Sequence, residues 1–224
     1  MFRLLRDEAF AYVRLGLLAP QRRRLDRNAT GHADVGVLFV PGLGANGAQF
    51  LSMRTALEDE ADWFGSFEYN SLTDPRGRAR DLAAHIEQLG ARVDRLVVVG
   101  HSLGGLLLRM VLQSEVALPH VAGFVSICAP LHGTWRSKFA PSAKLRMLRP
   151  DSTMMTEVLA TQDRLRRLED RVLTVAARAD QFIEPFDSAL LAGAQQLILD
   201  DRAHVSSLFD RRVHDAVRGL VRRV

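Results

Sequence analysis

Ser102 stands at the centre of Gly100-His101-Ser102-Leu103-Gly104. The run ahead of it, Arg95 to Val99, is short, β-branched and uncharged after its first residue, which is how a strand buried on both faces reads. The run behind it, Leu106 to Leu112, forms helix readily. A Gly-x-Ser-x-Gly pentapeptide between strand and helix is a nucleophile elbow, a tight turn that exposes the serine hydroxyl. Its glycines let strand and helix approach while the serine takes a strained conformation. The helix N-terminus then sets free N–H groups and a positive dipole end beside the hydroxyl.

A serine hydroxyl is a weak nucleophile at neutral pH. It needs a base, usually histidine, and an acid that holds the histidine in the right tautomer. Behind an elbow of this type the chain order is serine, acid, histidine, and ligands of parallel sheets gather at the C-terminal ends of strands. Asp180 meets both conditions, because it follows the apolar run Arg171–Ala177. Glu184 and Asp187 lie further from that run, while Asp200 and Asp201 share a loop with the candidate base and suit turns or caps. That base is His204, between Gln195–Leu199 and the last helical stretch. His32 and His85 precede the serine, His120 begins a strand at the wrong end, and His214 falls inside the last helix. His101 packs beside the elbow. His132 follows a strand but precedes Asp180, so it is assigned to shaping the substrate pocket.

Acyl chemistry also needs N–H donors for the oxyanion. One is expected from Leu103, immediately after the nucleophile, and the other from Pro41-Gly42-Leu43-Gly44-Ala45-Asn46-Gly47, with Leu43 as donor. This loop has no Walker lysine, which argues against a P-loop nucleotide site.

The elements that must hold these residues alternate along the chain. Strands are expected at residues 35–40, 63–69, 95–99, 121–128, 171–177 and 195–199. Helices are expected at 2–18, 49–60, 78–89, from the elbow to about Glu115, and at 207–222. Asp74-Pro75-Arg76-Gly77 reads as a turn. The alternation predicts a mostly parallel sheet of about six strands with helices on both faces. Residues 1–34 read as an N-terminal helical extension and 35–224 as the main domain. Within it, 131–170 is too long for a plain crossover and is expected to form a short helical flap. That interval holds Pro141 and Pro150, together with Met147, Met154 and Met155. Met154 and Met155 suit an acyl pocket or the packing of a small helical subdomain, and the sequence leaves both open.

The chain has 224 residues and a net charge of +4, with the positive charge almost all arginine. The arginines are spread and not interleaved with aromatics, so nucleic acid is not an expected partner. No uncharged run approaches the ~20 residues of a membrane span, and Arg3, Arg6, Asp7, Glu8 and Arg14 interrupt any signal-peptide core. The helix at 2–18 and the basic run Gln21–Arg27 have two readings: packing on the domain with a solvated basic end, or peripheral membrane contact through residues 1–27. The single cysteine, Cys128, lies in an apolar run and suits a reducing, cytoplasmic setting.

Gly100-His101-Ser102-Leu103-Gly104-Gly105, Phe39-Val40-Pro41-Gly42-Leu43-Gly44, Ala179-Asp180 and His204 together resemble the α/β-hydrolase superfamily. Ser126-Ile127-Cys128-Ala129-Pro130-Leu131-His132-Gly133-Thr134 is similar to the Pro-His-x-Gly-Thr stretch of bacterial lipase/esterase-like members, and Leu148-Arg149-Pro150-Asp151-Ser152 is similar to the segment downstream of that stretch. The chain departs at Pro41, where a histidine is usual, and at Leu131, which intervenes between proline and histidine. The resemblance runs from about Val35 to the C-terminus. It implies an α/β-hydrolase fold and an enzyme that cleaves carboxylic, lipid-like acyl esters through an acyl-enzyme. Ser102, Asp180 and His204 would be catalytic, Leu43 and Leu103 would form the oxyanion hole, and His101, His132, Met154 and Met155 would lie near substrate. That chemistry requires no metal or organic cofactor. A thioesterase or acyltransferase on the same fold, or a silent hydrolase fold that binds lipid or protein, are the alternatives.

Overall fold

A computed structural model of the chain describes residues 2–25, 31–114, 116, 118–140, 142–168 and 170–224. Its six strands are β1 (Ala33–Val40), β2 (Trp63–Ser66), β3 (Val93–His101), β4 (Val121–Ile127), β5 (Val172–Ala177) and β6 (Gln195–Leu199). They form one sheet in the order β2-β1-β3-β4-β5-β6, with every neighbouring pair parallel. The helices are α1 (Phe2–Leu18), α2 (Leu51–Ala56), α3 (Pro75–Leu89), α4 (Leu103–Leu112), α5 (Ala143–Arg146), α6 (Thr153–Ala160) and α7 (Arg211–Val221).

Side chains alternate across the sheet and so supply two cores. Leu38, Val40, Leu96, Val98 and Phe124 pack with Leu82 and Ile86 of α3 and Leu106 and Leu107 of α4. Val37, Phe39, Val97, Val99 and Val125 pack with Met53 of α2 and Val213, Val217 and Leu220 of α7. The central strands are buried on both faces, as their uncharged sequence requires.

The elements differ from their sequence limits where capping chemistry intervenes. Asp74-Pro75 is a helix start rather than a free turn: the Asp74 carboxylate accepts from Arg76 N–H at 2.9 Å and proline occupies the first turn of α3. The expected helix at 207–222 divides into a 3₁₀ turn (Ser206–Phe209) and α7, because Asp210 caps α7 by accepting from Arg212 N–H at 2.8 Å. The helix expected at 49–60 begins as a 3₁₀ turn (Gly47–Phe50) and ends at Ala56, and β2 stops at Ser66. Asp26 and Arg27 of the basic run, Glu115 and Pro141 lie outside the described residues.

Between β4 and β5 the chain forms a 3₁₀ turn (Trp135–Phe139), α5, α6 and a second 3₁₀ turn (Gln162–Leu168). At the other end of the chain, α1 packs on the body beside the turn after β6 and the loop after β1. Among the described residues, no helix is long and apolar enough to cross a membrane.

Candidate active site

Ser102 follows the last residue of β3 and precedes the first of α4, with φ 54° and ψ −124°. This left-handed backbone is costly for a non-glycine residue, and the neighbouring glycines make it achievable. A Cβ on Gly104 would collide with the Val40 carbonyl, and one on Gly100 with the backbone of Gly105. Strand and helix are therefore closer than any side chain permits. Leu103 opens α4, so its N–H has no acceptor within the helix.

The loop after β1 is fixed from below. Tyr69 donates its hydroxyl to the Pro41 carbonyl at 2.8 Å, Gly44 N–H donates to Ser71 Oγ at 2.9 Å, and Gly47 N–H donates to Glu68 Oε1 at 2.8 Å. Burial pushes the Tyr69 hydroxyl pKa up, so the tyrosine remains a neutral donor. Leu43 and Leu103 both line the cavity that holds Ser102 and His204.

Asp180 leaves β5 through a turn in which its N–H donates to the Ala177 carbonyl at 3.1 Å. Its Oδ1 accepts from Phe182 N–H at 2.8 Å and Ile183 N–H at 3.0 Å, and its Oδ2 faces His204 Nδ1 at 2.8 Å. Both side chains are buried, at 2% and 7% exposure for Asp180 and His204. Phe182 sets its ring edge against the His204 imidazole, with centroids 5.0 Å apart. The His101 ring packs against it at a tilt, with centroids 4.7 Å apart, and its Nε2 lies 3.2 Å from the His204 carbonyl. Burial, reinforced by His204, holds the His101 pKa well below its usual value. His101 thus stays neutral and donates Nε2–H to that carbonyl. Three of the four rival acids are engaged elsewhere: Glu184 pairs with Arg136, Asp200 with Arg178, and Asp201 with Arg212.

Cys128, Asp180 and His204 bring ligand-type atoms within 4.8 Å of one another. Burial keeps the Cys128 thiol protonated, helped by the Asp180 charge, and its Sγ donates to Ser207 Oγ at 3.4 Å. The Asp180 oxygens and His204 Nδ1 are committed to hydrogen bonds with one another and with the Phe182 and Ile183 N–H groups, which fits a hydrogen-bonded set rather than a metal centre. Cys128 also has φ 48°, which makes it a second strained residue at a strand end beside the site.

The cavity over Ser102 has a volume of about 500 Å³ and is walled largely by Leu15, Phe139, Leu145, Leu148, Phe182 and Ile183. The 131–170 insertion contributes its first half, from Thr134 to Leu148. Met154 and Met155 are not part of it. They point into the sheet core beneath α6 at 1% and 0% exposure, so of the two roles open to them they pack the helical insertion. His132 is also displaced. It lines a separate cavity of about 400 Å³ with Leu165 and Leu191, and its Nδ1 lies 3.3 Å from the Ser188 carbonyl. A position after β4 does not suffice: the His132 N–H and imidazole are both held at the Ser188 carbonyl, outside the cavity over Ser102.

Several contacts at the site gave no sign in the sequence. Thr134 Oγ1 donates to the Phe182 carbonyl at 2.7 Å and accepts from Glu184 N–H at 3.0 Å, tying the insertion to the Asp180 loop. Tyr12 and Leu15 of α1 line the cavity, and Glu8 is buried behind the His204 turn. Glu8, Ala11, Tyr12 and Leu15 do recur at helical spacing, but spacing alone does not say what that face meets.

The sequence from 37 to 224 matches the model of the Alpha/beta hydrolase family. The chain belongs to that family. No curated protein matches its sequence. Solved structures share the fold of this alpha/beta hydrolase at low identity. The mature Bacillus licheniformis lipase BlEst2 superposes with a TM-score of 0.68 at 15% identity, covering 87% of this chain and 94% of that one. The lin2722 gene product of Listeria innocua gives 0.63 at 15% identity, with coverages of 85% and 95%. The Paleococcus ferrophilus monoacylglycerol lipase gives 0.56 at 16% identity, with coverages of 89% and 99%. The matched segment excludes α1.

Proposed function

We propose that this hydrolase cleaves carboxylic esters with lipid-like acyl groups through Ser102, His204 and Asp180. The observation that carries the reading is the 2.8 Å Asp180–His204 bond beside a strained, cavity-lining serine. Asp180 holds Nδ1 protonated, which leaves Nε2 free to take the Ser102 proton as Oγ attacks the acyl carbonyl. The Leu43 and Leu103 N–H groups stabilise the tetrahedral oxyanion. His204 then passes its proton to the leaving alcohol, and water hydrolyses the acyl-enzyme by the same steps in reverse. His101 stays neutral, so only one imidazole of the tilted pair takes up charge during the cycle. The apolar walls of the cavity favour an alkyl acyl chain over a charged one.

α1 turns Phe10, Val13 and Leu17 outward, at 68%, 60% and 70% exposure, beside Arg3, Arg6 and Arg14. This face supports peripheral contact of residues 1–27 with an anionic membrane from the cytoplasmic side, and the lone buried thiol suits that compartment. A panel of nitrophenyl esters from short to long acyl chains, with an acyl-CoA arm and with or without anionic vesicles, tests the proposal. Turnover of oxygen esters, raised by vesicles, is expected. Turnover of acyl-CoA alone would make the protein a thioesterase, and turnover of neither would refute the reading.

A further inference from the structure

Glu8 lies on α1, outside the segment that matches the family model. It is 7% exposed, and its two oxygens take three donors. Oε1 accepts from Val205 N–H at 2.8 Å and from Gln181 Nε2 at 2.9 Å, while Oε2 accepts from Ser206 N–H at 2.8 Å. Val205 and Ser206 directly follow His204, and Gln181 directly follows Asp180. One carboxylate from a helix far away in sequence therefore grips both turns that carry the acid and the base.

We propose that Glu8 is a positioning residue: through its carboxylate, α1 sets the geometry of the His204–Asp180 pair, so this helix is a working part of the active site. The inference rests on the catalytic reading given above. The Val205 and Ser206 N–H groups stand at the start of the 3₁₀ turn Ser206–Phe209, where the helix supplies no acceptor. Hydrogen bonds to a carboxylate are the strong kind. From the opposite side the His204 carbonyl accepts from Ser207 Oγ at 2.7 Å and from His101 at 3.2 Å. The peptide after His204 is thus clamped between Glu8 and His101. Docking α1 by packing alone calls for an apolar residue at this place, because a buried carboxylate carries a desolvation cost that Ala11 beside it does not. Tyr12 and Leu15, four and seven residues on, bring the same helix face to the cavity wall. A shift of α1 therefore moves the substrate wall and the base together.

Glu8→Gln and Glu8→Ala in the full chain test this. Active sites are titrated with a fluorophosphonate, and a short nitrophenyl ester is the substrate. In Glu8→Gln the amide NH2 replaces one acceptor, leaving a backbone N–H without its partner. Positioning predicts that kcat per titrated site falls about tenfold to a hundredfold, the scale of a small misplacement of a reacting group, while KM stays nearly constant. It also predicts that the downfield proton resonance of His204 Nδ1–H broadens or shifts in both variants. A lowered thermal midpoint with unchanged kcat and an unchanged resonance would make Glu8 a structural brace only and overturn the proposal. Should Glu8→Ala fail to fold, the isosteric Glu8→Gln decides. The resonance needs no turnover. A perturbed resonance in a protein that cleaves no ester would uphold the positioning role while discarding the esterase reading.

Discussion

Replacing Asp180 with asparagine changes one atom and inverts the chemistry of His204. The carboxylate has two distinct sides: Oδ1 accepts from Phe182 and Ile183 N–H, and Oδ2 accepts from His204 Nδ1–H. In Asp180→Asn the side-chain oxygen must stay toward the two backbone donors, because turning the amide would set its NH2 against both. The NH2 group then faces His204 and donates to Nδ1. The imidazole is left protonated on Nε2, the tautomer that cannot take the Ser102 proton. Loss of the correct tautomer with geometry intact costs about 10⁴-fold in kcat in the serine-protease precedent, or about 5.4 kcal/mol at about 1.36 kcal/mol per tenfold. Nitrophenyl-ester kinetics on Asp180→Asn should show that fall in kcat with KM little changed, and ¹⁵N spectra of His204 should place the proton on Nε2. Activity within tenfold of the parent, or a proton still on Nδ1, would refute the reasoning.

Other outcomes rest on the same geometry. His101 is buried with its pKa held well below the ordinary 6.5, and burial lowers His132 and His214 in the same direction. The unfolded chain takes up these protons near 6.5 while the native state does not, so stability is full above that pH and falls as the pH drops below it. Exposed His32, raised by Asp94, acts in the opposite sense but at the surface, where such pairs contribute little. The urea midpoint should therefore be lower at pH 5 than at pH 7, with a smaller drop in His101→Gln; a flat profile would contradict this. Gly104→Ala forces a methyl onto the Val40 carbonyl and should cost about 3 kcal/mol. Gly44→Ala, at φ +68° in open space, should cost only about 1–2 kcal/mol, and chemical denaturation separates the two. Leu145→Trp narrows the cavity and should lower kcat/KM for long acyl esters while sparing short ones in the nitrophenyl panel.

The parallel sheet was legible because its central strands are uncharged and its helices repeat at regular intervals. The elbow, the Asp180 turn and the His204 turn were legible because each lies directly after a strand, where a parallel sheet gathers its loops. Helix limits were harder to read, since Asp74 and Asp210 act as caps through local hydrogen bonds that resemble turn signals. Met154 and Met155 could not be assigned from sequence, because an apolar side chain on an inserted helix suits a cavity wall and a core equally well. His132 was misplaced because what holds it, the Ser188 carbonyl, is far away in sequence. Glu8 was invisible for a further reason. Its partners are two backbone N–H groups and the Gln181 amide, all at least 173 residues away, and no periodicity or motif marks such long-range contacts of a carboxylate.

The central claim is that Ser102 is the nucleophile. Incubating the protein with a fluorophosphonate and mapping the adduct by peptide mass spectrometry tests it most directly. The account predicts one adduct per chain, on Ser102, with labelling and ester turnover both abolished in Ser102→Ala. An adduct on another residue, or turnover that survives Ser102→Ala, would contradict it.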